Sequence, residues 1–167
     1  MSVSMYEASI PVLVRFLRAL DKILDKGQAY ADHKKFDSQV LVRSRLAPDM
    51  FDFARQVQIA CDMAKFCAAR LTGTEAPRHE DNEATIGELK ARIAKTVEYL
   101  EGMAPAAFVG SEVRDVNLKF PNGSFDFKGA DYLIGFIWPN FHFHMATAYD
   151  ILRHNGVDLA KSDYLAR

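Results

Sequence analysis

The sequence predicts an all-α four-helix bundle with a small β-hairpin between the third and fourth long helices. Four segments place apolar residues three and four positions apart, which is the period of an amphipathic helix. Two of these segments begin with serine or threonine followed three residues later by glutamate, a pattern that typically starts a helix. Apolar and polar residues alternate clearly over one stretch, residues 116–128. The chain has 167 residues, 49% of them apolar, and we expect a single domain over residues 1–167.

The first helix is predicted over residues 4–26, because one apolar stripe continues through this range. Pro11 is expected to kink its first turns, since proline cannot donate a backbone hydrogen bond. Gly27 is expected to end the helix. The looser stretch that follows predicts two short helical turns, over residues 30–36 and 39–43.

The second and third helices are bounded by stronger local signals. Pro48 is favoured in a first helical turn, so the second helix is predicted from Pro48 to Leu71, before a Thr-Gly stop. Thr85 and Glu88 have the capping-box spacing, and they predict a third helix over residues 86–102.

The hairpin is predicted from alternation on both sides of an Asn-Gly pair. Strands over residues 116–120 and 125–128 would be joined by a type I′ turn at Asn122 and Gly123, because both turn residues need positive φ. All five apolar side chains would then face the bundle. The predicted cross-strand pairs are Phe120 with Phe125, Leu118 with Phe127, and Lys119 with Asp126.

The fourth helix is predicted over residues 131–155 with Gly156 as its stop. Pro139 lies inside it and removes the hydrogen bond to the carbonyl of residue 135, which is a glycine. We therefore expect one kinked helix rather than two separate helices.

Composition and charge exclude several functional classes. The net charge is −1 and the Lys and Arg residues are scattered, which argues against nucleic-acid binding. The longest apolar stretch, residues 132–138, is too short to span a bilayer, and no signal-peptide pattern precedes the first helix. Cys61 and Cys67 lie on different faces of one helix, so both are expected to be buried free thiols. We expect a cytoplasmic protein that binds neither nucleic acid nor membrane.

Several motifs carry a resemblance to a known family. They are Ser4-Met5-Tyr6, residues 8–12, residues 47–51 leading into Arg55-Gln56-Val57-Gln58, residues 118–121, and residues 139–144. Over essentially the whole chain, the sequence resembles the bacterial-type DinB/YfiT-like superfamily of metal-dependent helical bundles. The match is closest to an uncharacterised branch, a domain of unknown function.

The resemblance implies a metal site that this chain has largely lost. The superfamily typically uses one histidine from the second helix and two histidines, four residues apart, from the last helix. His144 lies where the last of these histidines is expected, whereas Asn140 and Gln58 occupy the other two positions. The site is therefore expected to be degenerate, with His144 as the only retained ligand and no metal bound. The alternative is a divalent metal, zinc or nickel, held through His144.

The residues themselves also point to a polar pocket. Asn140 and His144 are one helical turn apart on a buried face, and Gln58 with Asp62 is predicted to face them from the second helix. Such a group could be a hydrogen-bond network that fixes helix register, or a pocket for a small polar molecule. Arg55 and Asp62, seven residues apart, are expected to form an ion pair.

Other aromatic residues of the last helix suggest contacts between subunits. His142 points about 200° away from His144 on a regular helix, so it is expected at the periphery or at a subunit contact. The surrounding aromatic residues favour a core or a dimer interface.

Three functions remain open at this point. The first is a non-catalytic or small-ligand-binding homodimer with a degenerate metal site. The second is a divalent-metal-dependent transferase or hydrolase that uses His144. The third is an interaction protein whose pocket is closed.

Overall fold

The computed structural model describes residues 3–120 and 123–166, without the side chain of Phe120, and it is mostly helical. Its elements are α1 (Ile10–Lys34), α2 (Gln39–Val42), α3 (Phe53–Thr72), α4 (Ile86–Glu101), two 3₁₀ turns (Pro105–Phe108 and Ser111–Val113), β1 (Asp115–Phe120), β2 (Gly123–Lys128), α5 (Gly129–Asp131), a π-helix (Tyr132–Ile137), α6 (Trp138–His154) and α7 (Lys161–Tyr164). The predicted fold is confirmed.

Four long helical segments, α1, α3, α4 and the run from α5 to α6, enclose one core. α3 packs against both α4 and α6, while α1 packs against α4, α6 and α7. The predicted apolar stripe of α1 is buried throughout. The largest fully buried side chains are Tyr132, Phe53, Phe141, Ile10, Leu13, Leu17, Leu20, Ile23, Leu24, Leu41, Leu71 and Leu89.

α1 begins later and ends later than its predicted range. The Ser4–Glu7 capping bonds are present, but they close a separate turn before the helix. Pro11 lies in the first turn of α1, where its missing N–H is harmless, and Ser9, with non-helical φ and ψ, separates α1 from the preceding turn. Gly27 does not end the helix: a Cβ there would lie 3.3 Å from Leu152 Cδ1, and the glycine admits that close contact with α6. The helix continues to Lys34.

α3 and α4 show how local caps determine helix ends. α3 begins at Phe53 rather than at Pro48, because the Asp52 carboxylate accepts a hydrogen bond from the Arg55 N–H at 3.0 Å. Its predicted end is confirmed, with Gly73 at φ 73°. The capping box of α4 forms in both directions between Thr85 and Glu88.

The hairpin is confirmed, but its register differs from the prediction by two residues. Val116 pairs with Phe127 and Leu118 pairs with Phe125. A shift of two residues keeps the same side chains on the same face. The predicted turn residue Asn122 lies outside the described residues, and Gly123 belongs to β2.

The prediction that all the apolar hairpin side chains face the bundle was wrong for Phe125. Val116 and Leu118 are buried, and the Phe127 ring lies 5.8 Å from that of Phe136. The Phe125 side chain, nearer the turn, is 57% exposed. The bundle therefore covers Val116 and Leu118 of β1 and only the base of β2, and the predicted position of the Phe120 side chain lies outside the described residues.

The last helix passes through Pro139 without a break in helical backbone, as predicted. A π-helical segment, Tyr132–Ile137, precedes the proline, which lies in the first turn of α6. Such wide turns replace bonds between residues four apart with bonds between residues five apart. The change occurs where Pro139 cannot bond the carbonyl of Gly135.

Cys61 and Cys67 are both buried and free, as predicted. Burial raises the pKa of the Cys61 thiol to about 12. Within the described residues, no helix is long and apolar enough to cross a membrane.

Candidate functional site

His144 lies half-buried on α6, where it faces α3. Its Nδ1 atom is 2.7 Å from Oε1 of Gln56, a residue that is 1% exposed. The Gln56 amide nitrogen in turn donates to the carbonyl oxygen of Phe51 at 3.2 Å. A hydrogen-bond chain therefore runs from α6 across α3 to the segment before it.

This chain determines which imidazole nitrogen carries the proton. A backbone carbonyl only accepts, so the NH₂ group of Gln56 must point to Phe51 and its oxygen to His144. That oxygen also only accepts, so Nδ1 of His144 is the donor and Nε2 carries the lone pair. Among the described residues nothing donates to Nε2, and it is not one of the buried unpaired atoms, so it is open to solvent.

The environment of His144 keeps its ring neutral. Burial, and secondly the positive charge of Arg55, lower the pKa of His144 to about 4. At neutral pH the site therefore presents an uncharged hydrogen-bond acceptor.

Two exposed aromatic rings belong to the residues around this hydrogen-bond chain. Phe143 is 55% exposed and meets the His144 ring edge-on, with a centroid distance of 5.2 Å. Phe51 is also 55% exposed, and the Arg55 guanidinium lies 6.0 Å from its ring centre. We call His144, Gln56, Arg55, Phe51 and Phe143 the His144 site.

The neutral ring predicts a specific titration. The chemical shift of the His144 Cε1 proton, followed by NMR, should have its midpoint near pH 4. The Arg55→Gln substitution should raise that midpoint, because it removes a nearby positive charge. The unfolded chain, with an ordinary histidine pKa near 6.5, binds the proton first as the pH falls. His144 should therefore stabilise the fold fully above pH 6.5, with the contribution lost towards pH 4. A midpoint at or above 6.5 would contradict this picture.

The other predicted pocket residues make their hydrogen bonds elsewhere. The Asn140 amide donates to the carbonyl of Phe136 in its own helix, at 2.7 Å. Gln58 accepts from Arg55 at 3.1 Å and donates to Glu83 at 2.9 Å. The α3 residue that bonds His144 is thus Gln56 rather than Gln58, because two residues on a helix point about 200° apart.

Asp62, the fourth predicted residue, belongs to a charge cluster around the buried Arg92, between α3, α4 and the loop that joins them. Its carboxylate lies 2.7 Å from Arg92 and 2.9 Å from Lys65. Arg92, 2% exposed, also pairs with Asp81 at 2.9 Å and Glu83 at 3.0 Å. We call these five residues the Arg92 cluster.

The predicted ion pair between Arg55 and Asp62 was wrong. Arg55 pairs with Asp81, which the loop after α3 brings back onto the bundle. Asp62 instead turns to Arg92 of α4. The prediction used only the seven-residue spacing of Arg55 and Asp62 along α3, whereas their partners lie in the following loop and in α4.

His142 contacts the C-terminal helix α7 as well as α1. Its ring stacks on Trp138, with centroids 5.3 Å apart and planes 21° apart. Its Nδ1 atom lies 3.0 Å from the hydroxyl of Tyr164 in α7. Phe16 of α1 meets the same ring edge-on at 4.9 Å.

The residues around His144 do not fit a divalent metal ion. Zinc sites use three or four imidazole, thiolate or carboxylate ligands, and nickel also prefers imidazole over amide oxygen. Residues 3–120 and 123–166 contain no group of three or more His, Cys, Asp or Glu side chains placed to hold a metal. At His144 the neighbouring polar group is an amide, and the nearby Arg55 would repel a cation.

Comparison with known families settles the membership of the chain. The model of a family described as a domain of unknown function, DUF1993, matches residues 5–165. The chain belongs to the DUF1993 family. This DUF1993 chain also resembles the crystal structure of a DinB family member protein from Shewanella denitrificans, with 44% sequence identity and a TM-score of 0.89. The similarity covers 96% of this chain and 90% of that chain. No curated protein matches this DUF1993 chain.

These comparisons confirm the resemblance to an uncharacterised DinB-like branch and the bundle fold. The residue that the sequence prediction missed in this DUF1993 chain is Gln56. It lies in step with Phe53, Ala60 and Cys67, which are buried on the same helix three, four and eleven residues away. That stripe is the signal that could have indicated its inward direction.

Proposed function

We propose that this DUF1993 protein is a non-catalytic homodimer that binds a small polar ligand at the His144 site. The observation that carries the proposal is the directed hydrogen-bond chain from His144 through Gln56 to the Phe51 carbonyl. It holds the ring in one tautomer and leaves Nε2 as a neutral, solvent-facing acceptor.

The surroundings of Nε2 indicate the class of ligand. A hydroxyl or amine of the ligand would donate to Nε2, and an acidic group would lie towards Arg55. Arg55 uses one guanidinium nitrogen, Nη1, for its bonds to Gln58 and Asp81, so its other nitrogens are available. The exposed rings of Phe51 and Phe143 would hold an apolar body. A small hydroxy acid has these features.

A binding role is favoured over catalysis because the chemistry needed for transfer or hydrolysis has no clear carrier. The Cys61 thiol is buried with a pKa of about 12, so it is protonated and out of reach of a substrate. The donor set at His144 does not suit a Lewis-acid metal, as described above.

Screening a library of small hydroxy acids by ¹H–¹⁵N NMR would test the proposal. We expect at least one compound to shift the amide signals of residues 51–56 and 143–144 in a saturable way. The response should disappear in His144→Gln, which keeps a polar side chain but lacks an imidazole lone pair. His154→Gln, an exposed histidine at the end of α6, is the matched control. Binding that survives His144→Gln would contradict the proposal.

The metal-dependent alternative makes a different prediction. Adding zinc or nickel to the purified protein should leave its melting temperature unchanged, because a ligand stabilises only a state that binds it. The measurement is a thermal scan with and without metal, on protein purified without chelators. Stoichiometric metal coordinated by His144 would revive the enzyme hypothesis.

The proposed dimer rests on the exposed face of the last helix. Residues 132–149 contain no Lys, Arg, Asp or Glu. Ile134 on this run is 69% exposed, and Pro139 is exposed as well. An uncharged apolar helix face is commonly covered by a second copy in a two-fold pair.

Ile134→Lys is expected to convert the dimer to a monomer, because two-fold pairing would bury the new charge twice. Sedimentation or light scattering at micromolar concentration measures the change. Val113→Lys, at an equally exposed position outside this helix, is the control. A parent protein that is already monomeric would remove the dimer from the proposal.

A further inference from the structure

The loop between α3 and α4 encloses space against α4. Two cavities, of about 520 and 430 Å³, are both lined by Arg78, His79 and Lys95. The larger one is also lined by Pro77, Tyr99 and Met103. We call this larger space the His79 cavity.

Two polar atoms beneath the lining of the His79 cavity have no hydrogen-bond partner among the described residues. Nδ1 of His79 is buried without a hydrogen bond. The Tyr99 hydroxyl is also buried, and its neighbour Thr74 is not placed to form a hydrogen bond of good geometry. Buried polar atoms of native proteins usually have a partner, which can be an ordered water molecule.

The two cationic side chains that line the cavity are Arg78 and Lys95. Arg78 and Lys95 make no ion pair with any carboxylate in the part of the chain that the structure describes. Of the acids near them, Glu83 pairs with Arg92, and Glu88 accepts from the backbone of Thr85. Glu98 is the acid that lines the His79 cavity, so the two cations leave it net positive.

We propose that the His79 cavity binds a small organic anion with an apolar or aromatic body. Arg78 and Lys95 would hold the carboxylate or phosphate. Pro77, Met103 and the Tyr99 ring would contact the apolar body.

The cavity is held in shape before any ligand binds. Asp81 and Glu83, on the same loop, pair with the buried Arg92 of α4. A preformed site avoids much of the ordering cost of binding. The site is also separate from His144, which lies between α3 and α6.

A titration with benzoate, monitored by ¹H–¹⁵N NMR, tests the proposal. Benzoate should shift the amide signals of residues 78–79 and 95–103 in a saturable manner, whereas benzamide, its neutral analogue, should not. Phenyl phosphate, run in parallel, shows which acidic group is preferred. Equal responses to benzoate and benzamide, or no saturable shifts with either anion, would overturn the proposal.

Two variants test whether Arg78 and Lys95 are responsible for benzoate binding. Lys95→Ala and Arg78→Ala should each weaken benzoate binding by about tenfold, as expected for loss of a charge-assisted hydrogen bond. Lys90→Ala is the matched control, because Lys90 lies on the same helix but pairs with Asp21 and Asp25 of α1. Unchanged binding in Lys95→Ala and Arg78→Ala, or an equal loss in Lys90→Ala, would overturn the assignment. Shifts confined to residues around His144 would also overturn it, without affecting the proposal for His144.

Discussion

Replacing Arg92 with methionine is expected to lower the free energy of unfolding by about 3–5 kcal/mol, the usual result of removing one partner from a buried ion cluster. The guanidinium is 2% exposed and holds the carboxylates of Asp62, Asp81 and Glu83. Without it, Glu83 loses its cation, while Asp62 keeps Lys65 and Asp81 keeps Arg55. Urea denaturation followed by circular dichroism measures the loss.

Lys90→Met is the control for this prediction. Lys90 lies two residues earlier on α4, and its side chain is 29% exposed where it pairs with Asp21 and Asp25. Exposed pairs contribute at most about 1 kcal/mol, so this variant should be close to the parent in stability. Equal losses in the two variants would mean that the Arg92 cluster adds nothing beyond an ordinary surface pair.

Gly129→Ala should lower stability by about 3 kcal/mol or more, at or above the upper end for overpacking. A Cβ at Gly129 would lie 1.9 Å from the carbonyl oxygen of Ser111 and 3.1 Å from Leu71 Cδ2. The first contact is with backbone, which cannot turn aside as a side chain can. The junction between the hairpin and the last helix would have to move.

Gly87→Ala is the control, because a Cβ at this helical glycine has room. A Cβ there meets only Thr85 Oγ1, at 4.0 Å, and the residue is exposed in the first turn of α4. Alanine should therefore stabilise the helix by about 0.5–1 kcal/mol through reduced backbone entropy. The same urea experiment measures both variants, and a Gly129→Ala protein as stable as the parent would refute the steric argument.

Helix ends could be predicted where neighbouring residues determine them. The capping box at Thr85 and the stop at Gly73 are such cases. Gly27 could not be assigned in this way, because its role depends on Leu152, which is far away in the chain. The start of α3 was missed since Asp52 and Pro48 both resemble helix starts, and only Asp52 forms the capping bond.

The candidate site was predictable to a similar extent. Helical period and the family resemblance both selected His144, and the structure shows it half-buried against α3. The residue opposite was taken from the family's ligand position, Gln58, whereas the residue that bonds His144 is Gln56, two positions away on α3. The Arg92 cluster needed the path of a loop, residues 73–85, that carries no periodic signal.

The π-helical segment sets how far the residues before it are rotated around the helix axis relative to α6. A turn that bonds residues five apart holds one residue more than a regular turn, and each residue rotates a helix by about 100°. The extra residue therefore changes the angle around the helix axis between the side chains of Tyr132 and His144. The Tyr132 hydroxyl accepts a hydrogen bond from Arg70 at 2.8 Å. Deleting the exposed Gly135 would restore a regular helix, and the hairpin end would then turn by about 100° relative to α6. The number of residues in this segment thus matters more for the fold than the identity of any exposed residue within it.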